Sequence, residues 1–195
     1  MNARRIFIAT GIGGVVLPAI SGSTARANDS TGVDAFPNPL LETHTGRRLR
    51  FYDDIVKSNK VLLLNMMYAG CGNICPPNTA NLLQVQHLLG ERMGRDVLFF
   101  SLTLQPDIDR PPDLHAYARR YCTGPGWTFL TGDREDMDAV RRKLGFYDPE
   151  PEVDADLAQH AGMVRIGSAA IDRWSMMPSL MPPARLARSI ADLVK

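Results

Sequence analysis

The chain has 195 residues, 45% of them hydrophobic and 22% charged, which is the balance of a globular chain and the length of one ordinary domain. Lysine plus arginine (22) nearly cancel aspartate plus glutamate (21), leaving a formal charge of +1, so nothing in the charge points to nucleic acid or an anionic membrane as partner. Three cysteines are too few to staple a disulfide scaffold, so the fold must rest on its core, and an odd count leaves one thiol outside any single pair.

The first elements are read as transit signals. Arg4 and Arg5 precede Ile6, Phe7 and Ile8, an apolar run reaches Ile20, and Ala25-Arg26-Ala27 offers a small-x-small cleavage site. Residues 1–27 thus have the layout of an export signal of twin-arginine type, which predicts a periplasmic mature protein. The competing reading is a membrane anchor, but the run is short of the ~20 apolar residues a spanning helix needs. Once the signal is cleaved, no membrane insertion is expected. Residues 28–39 mix small, polar and proline residues and read as a linker, leaving 40–195 as the folded domain.

From Leu40, apolar residues flank a Thr45-Gly46 turn, and Arg48 to Tyr52 is the expected return strand of an N-terminal β-hairpin. Val61 to Met67 is almost uninterruptedly apolar, as in a central strand covered on both faces. After Pro76 and Pro77, Leu82, Val85, Leu89 and Met93 recur at helical spacing. Val97 to Leu104 reads as a strand, and Pro111-Pro112 opens a helix facing inward with Leu114, Tyr117, Ala118 and Tyr121. Trp127 to Leu130 is a short strand, and Met137, Val140 and Leu144 mark a third helix. Met163–Ile166 and Ala169–Trp174 are read as strands around a Gly167-Ser168 turn, and Leu186, Ile190 and Val194 as the stripe of a closing helix. Strands alternating with helices imply an α/β domain with a mainly parallel central sheet flanked by helices.

The chemistry concentrates at Cys71-Gly72-Asn73-Ile74-Cys75-Pro76, where a buried strand gives way to a helix. Open α/β sheets place their sites at such carboxyl ends. Pro76 puts Cys75 at the helix N-terminus, where the dipole favours a thiolate, and Gly70 and Gly72 are read as permitting a tight backbone around Cys71. Two sulfurs at this spacing can form a disulfide, chelate one ion or stay buried as structural thiols. As soft donors they suit copper(I), zinc or iron–sulfur clusters, but structural zinc and clusters commonly need four protein ligands, whereas two thiolates with one imidazole suit three-coordinate copper(I).

Tyr68-x-x-Cys71-x-x-x-Cys75-Pro76 resembles the metal-binding loop of the SCO/SenC family. Phe100 to Leu104 followed by Pro106, Asp109 and Pro111 is similar to that family's next strand and loop, and Tyr117-Ala118, Trp127 and Leu130-Thr131-Gly132 continue the likeness over roughly Leu40 to Lys195. The resemblance implies a thioredoxin-like fold binding copper through Cys71, Cys75 and His160, with copper(I) as the working ion and copper(II) left open. It further implies a metallochaperone or thiol reductase in assembly of the copper centre of cytochrome c oxidase. The implied partner is a copper-accepting membrane oxidase subunit or another periplasmic cuproprotein. The chain departs from the family at Gly72-Asn73, where Pro-Asp is usual, at Gln105, where an acidic residue is usual, and at Ala161-Gly162 after the histidine.

Outside the resemblance each candidate also has a plain structural reading. A lone histidine such as His160 is more often packed or solvated than a ligand, and His44, His87 and His115 are read as solvent-facing. Cys122 is read as an inert thiol with a resolving role as the alternative. Met176, Met177 and Met181 could hold copper(I) through thioethers, but more often such residues fill gaps. Arg47, Arg48 and Arg50 are read as a solvated hairpin edge. Two functions therefore stand: a copper metallochaperone, and a thiol–disulfide oxidoreductase with Cys71 and Cys75 as its redox pair. A peroxiredoxin-like reading lacks the framing threonine and arginine.

Overall fold

The computed structural model describes residues 36–157 and 162–194. The strands are β1 (Leu40–Thr43), β2 (Arg48–Arg50), β3 (Val61–Met67), β4 (Val97–Thr103), β5 (Trp127–Thr131), β6 (Met163–Ser168) and β7 (Arg173–Pro178). The helices are α1 (Cys75–Leu89), α2 (Pro111–Arg120), α3 (Arg134–Lys143), the short α4 (Pro151–Asp154) and α5 (Pro183–Ala191). One sheet takes all seven strands in the order β2-β1-β5-β4-β3-β6-β7. β3, β4 and β5 are parallel, and the β1–β2 and β6–β7 hairpins add antiparallel strands on either side. The expected α/β layout therefore holds, with the parallel part confined to the centre.

All seven residues of β3 are buried, because alternate side chains point into two different cores. Leu63 and Met67 pack with Leu82, Val85, Leu114, Leu186 and Ile190, so α1, α2 and α5 cover one face. Leu62, Leu64 and Met66 pack with Phe51, Ile55, Met137, Val140 and Leu144, so α3 and the segment after β2 cover the other. Each such side chain contributes roughly 1.5–3 kcal/mol of burial. A buried polar chain crosses the parallel centre: Trp127 Nε1 donates to Ser101 Oγ (2.9 Å), and Ser101 donates to Asn65 Oδ1 (2.7 Å). These groups satisfy one another, which is the condition for burying them cheaply.

Three expectations shift. The return strand stops at Arg50, and Phe51–Val56 winds into a wide π-type helical turn, with Lys57 N–H donating to Tyr52 C=O at 2.9 Å. Phe51, Ile55 and Val56 all become buried, which a straight strand could not achieve. Gly167-Ser168 is not a turn: Gly167 pairs with Trp174 inside the β6–β7 ladder, and a Cβ there would clash with the Arg173 carbonyl and the Trp174 ring. The chain reverses instead through Ala169–Ile171 and a left-handed Asp172 (φ 46°), so the second strand is Arg173–Pro178. Met93 and Val194 fall just beyond α1 and α5, although both still pack against the core.

Candidate functional site

β3 ends at Met67, and the chain turns at once: Cys71 N–H donates to Tyr68 C=O at 3.1 Å. α1 then begins at Cys75, with Pro76 and Pro77 in its first turn, where missing amides cost nothing. Both cysteines are free thiols and nearly buried, Cys71 at 7% exposure and Cys75 at 2%, while Gly70, Gly72 and Asn73 between and beside them are exposed. Neither glycine is there for tightness: a Cβ at either position meets nothing within 4 Å, and neither has positive φ.

The sulfur of Cys71 is the centre of the arrangement. It accepts the Cys75 N–H at 3.2 Å, the Ile74 N–H, the Tyr68 hydroxyl and the Cys75 thiol. Burial works against ionisation, but these four donors outweigh it and hold the Cys71 thiol below its ordinary value. Cys75 moves the other way. Burial, reinforced by donation to Cys71 and by the negative charges of Cys71 and Asp109, pushes it up to about 12. Tyr68 is likewise raised to about 12, chiefly because its hydroxyl donates to Cys71. The helix-terminal amides thus serve Cys71, four residues earlier, and not Cys75 as the sequence position suggested.

A second layer sits where β4 ends. Asp109 is 2% exposed and its Oδ2 accepts the Ala69 N–H (2.9 Å) and the Thr103 hydroxyl (2.5 Å). Gln105 contributes backbone to this turn: its N–H donates to Thr103 Oγ1 (3.0 Å) and its C=O accepts Asp109 N–H (2.8 Å). Behind α1, Thr79 Oγ1 and Tyr117 Oη lie 2.7 Å apart. On the other flank Asn78 and Ser179, both buried, meet at 2.8 Å, Ser179 N–H donates to Gly162 C=O (2.9 Å), and Asn81 Nδ2 donates to the Ser179 and Met181 carbonyls. The loop after β7 is thereby stitched to α1.

His160 lies outside the described residues. Of the residues leading up to it, Asp156 acts electrostatically on Tyr68 and Leu157 packs on the α3-side core, while Gly162 beyond it is held by Ser179. Among the described residues no group of three or more His, Cys, Asp or Glu side chains is arranged to hold a metal.

The remaining candidates separate from the site. Met176 and Met177 lie within β7 and point to opposite faces: Met177 packs on the core that holds both cysteines, Met176 on the other. They cannot act together as thioether ligands. Cys122 is exposed beyond α2 with φ 52°, its thiol directed at Arg119 C=O (3.6 Å). His87, His115 and the three hairpin arginines are exposed as expected. His44 is not: it is half-buried, its Nδ1 accepts the Phe129 N–H (3.1 Å), and its ring stacks on His115 at 6.0 Å. Sequence reasoning gave no site role to Tyr68 or Asp109. Their presence beside Cys71 and Pro111 in the quoted motifs was the signal available.

The SCO1/SenC family model matches residues 44–195. The chain belongs to the SCO1/SenC family. A curated SCO1 protein homolog from Bacillus subtilis (strain 168) is 34% identical over 74 residues, a match spanning 37% of this chain and 38% of that relative. Among solved structures, Bradyrhizobium japonicum ScoI with copper bound superimposes with a TM-score of 0.63 at 18% identity, covering 82% of this chain and all of the other (100%). BsSco, a member of the Sco family of cytochrome c oxidase assembly proteins in which a disulfide switch was identified, gives 0.64 at 20% identity over 80% and 91%. At these identities the structural likeness establishes a shared thioredoxin-like fold. In this SCO1/SenC member the two cysteines follow the carboxyl end of the central strand, nearly buried beneath an exposed rim of Gly70, Gly72 and Asn73.

Proposed function

We propose that this protein is a periplasmic copper metallochaperone that assists assembly of the copper centre of cytochrome c oxidase, binding its cargo through Cys71, Cys75 and His160. The observation that carries the reading is the dithiol itself, in a chain of this family: two soft donors joined by a hydrogen bond in one short turn, with Cys71 held below its ordinary value. Copper is a substrate in this account, and copper(I) is the state that two thiolates and one imidazole suit; copper(II) at the same site is a further state to test. His160 enters from the family resemblance and from its position between Leu157 and Gly162, both anchored to the body of the domain.

The residues present fit such a cargo. Thiolates are the ligand form, and the four donors around the Cys71 sulfur favour that form. Cys75 carries its proton at neutral pH, so loading must release that proton and affinity must rise with pH. The exposed Gly70, Gly72 and Asn73 leave the rim open for an acceptor's ligands to displace these donors one at a time. The acceptor we propose is a copper-accepting oxidase subunit or another periplasmic cuproprotein. Residues 1–27 are proposed as the export signal, 28–39 as a linker and 40–195 as the working domain. No helix among the described residues is long and apolar enough to cross a membrane.

A second reading draws on the opposed acidities of the two thiols. As a thiol–disulfide oxidoreductase, the Cys71 thiolate would attack a partner disulfide, forming a mixed disulfide and releasing one partner thiolate. Cys75, after losing its proton, would then attack Cys71 Sγ, releasing the second partner thiolate and leaving a Cys71–Cys75 disulfide. The pair would supply two electrons.

The test is copper(I) stoichiometry and affinity of residues 28–195, reduced, beside His160→Ala and Cys71→Ser. One tight copper per chain, weakened at least tenfold in both variants and strengthened between pH 6 and 8, supports the metallochaperone. No tight copper, with exchange activity surviving in His160→Ala, moves the function to thiol–disulfide exchange.

A further inference from the structure

The cysteine loop has few side-chain supports of its own. Gly70, Gly72 and Asn73 are exposed, and both glycines stand in open space. Something outside the loop must fix the turn that leads from β3 into it. Ala69 is the residue at which that happens. Its neighbour Tyr68 supplies both the carbonyl that accepts the Cys71 N–H and the hydroxyl that reaches Cys71 Sγ. Ala69's own N–H is taken by a carboxylate 40 positions later in the chain, Asp109 Oδ2 at 2.9 Å.

Asp109 is well placed to be rigid. It is 2% exposed, and the same Oδ2 accepts the hydroxyl of Thr103, the last residue of β4. Thr103 pairs in register with Met67, the last residue of β3, and Leu104 N–H donates to Met67 C=O at 2.8 Å. The Asp109 amide is itself tied to Gln105 C=O. Carboxylate, hydroxyl and strand ends thus form one closed bracket around the point where the chain leaves the sheet. A bond from this half-buried amide to a charged acceptor is of the stronger kind, and losing it releases the turn.

We propose that Asp109 is the positioning residue of the metal-binding loop: by holding the Ala69 amide it fixes the Tyr68–Cys71 turn, and so places Cys71 Sγ against the head of α1. Asp109 makes no hydrogen bond to either sulfur; its charge bears on Cys75 from a distance, and its hold on the loop runs through the Ala69 backbone. The inference rests on the reading of Cys71 and Cys75 as a copper-binding pair, and it extends that reading to a residue that is not a ligand.

The test compares Asp109→Ala with Asp109→Asn in full-length mature protein, with copper(I) as the probe. Asparagine keeps an oxygen that can accept both the Ala69 N–H and the Thr103 hydroxyl, whereas alanine keeps neither bond. Copper(I) affinity should fall at least tenfold in Asp109→Ala and return to within threefold of wild type in Asp109→Asn. Amide exchange at Ala69 and Cys71 should quicken at least tenfold in the alanine variant and recover in the asparagine one, with Leu64 in mid-β3 unchanged in both. If Asp109→Ala does not melt cooperatively, Thr103→Val carries the test, with an expected loss of at least threefold in affinity. Unchanged exchange at Ala69 and Cys71 in a folded Asp109→Ala, or an asparagine variant as impaired as the alanine one, overturns the proposal. Wild-type protein that binds no copper would defeat the functional reading alone, because the exchange arm still decides whether Asp109 positions the loop.

Discussion

Replacing Asp154 by alanine tests how the short helix α4 is held. Asp154 and Arg141 are each 8% exposed at the side chain and face each other fork to fork, Nη1–Oδ1 at 2.7 Å and Nη2–Oδ2 at 2.9 Å. Asp154 also accepts the Asp148 N–H (2.9 Å) and an Arg142 Nη2 bond (3.0 Å). A four-residue helix has no stability of its own, so this clamp is what seats residues 146–154 on α3. Removing one partner of a buried pair typically costs about 3–5 kcal/mol, because the other charge stays buried. Arg141 would retain Phe146 C=O (2.9 Å) and the more distant Asp138 (3.3 Å), so the lower end, about 3 kcal/mol, is the expected loss. For a domain of this size each kcal/mol moves Tm by roughly 2–4 °C, giving a fall of roughly 6–12 °C by calorimetry. The control is Asp53→Ala, which breaks an exposed pair with Lys57 at 3.6 Å and an exposed bond from Asn38 Nδ2 at 2.7 Å, and should cost about 1 kcal/mol or less. Replacing both clamp residues by apolar ones of similar size should cost much less than Asp154→Ala alone. If Asp154→Ala melts as Asp53→Ala does, the clamp does not hold the segment and the reasoning fails.

Two further outcomes follow from the thiols and from His44. In reduced protein at pH 7–8, alkylation mapped by mass spectrometry should mark Cys122 and Cys71, and reach Cys75 only after unfolding, since Cys75 is 2% exposed and raised to about 12; rapid labelling of native Cys75 would contradict the arrangement. His44 is lowered in the folded state by burial first and by the neighbouring His115 second, so its contribution to stability is present above the unfolded value near ~6.5 and is lost as pH falls through the folded one. Protonation puts a hydrogen on Nδ1, which now accepts the Phe129 N–H. Wild-type Tm should therefore fall below about pH 6.5 more steeply than that of His44→Phe, and parallel curves for the two would remove His44 from the account.

Much of the fold could be read from the chain because its strongest signals were physical extremes. The unbroken apolar run of β3 had to be covered on both faces, and the proline pairs at 76–77 and 111–112 could open helices but not continue strands. The failures came where one contact outweighed local pattern. Phe51 and Tyr52 have strand-like character, yet burying Phe51, Ile55 and Val56 together needs a helical turn. Gly167 looks like a turn residue but serves as the gap over which the Trp174 ring lies. At the site, spacing announced the cysteine pair, while the division of labour between the two thiols depends on which sulfur the Ile74 and Cys75 amides meet, a matter of orientation that sequence does not record.

That division has a consequence for how the loop can change. Most of what tunes Cys71 comes from backbone amides, from Cys75 and from Tyr68, all inboard of the rim. The residues at positions 70, 72 and 73 face solvent, and a side chain grafted onto either glycine would enter empty space. The outer contour of the loop can therefore be rewritten to suit a different docking partner without retuning the sulfur beneath it. Outer contour and reactivity share the stretch from Gly70 to Cys75 yet can drift independently, and Gly72-Asn73 is where such drift would first be visible.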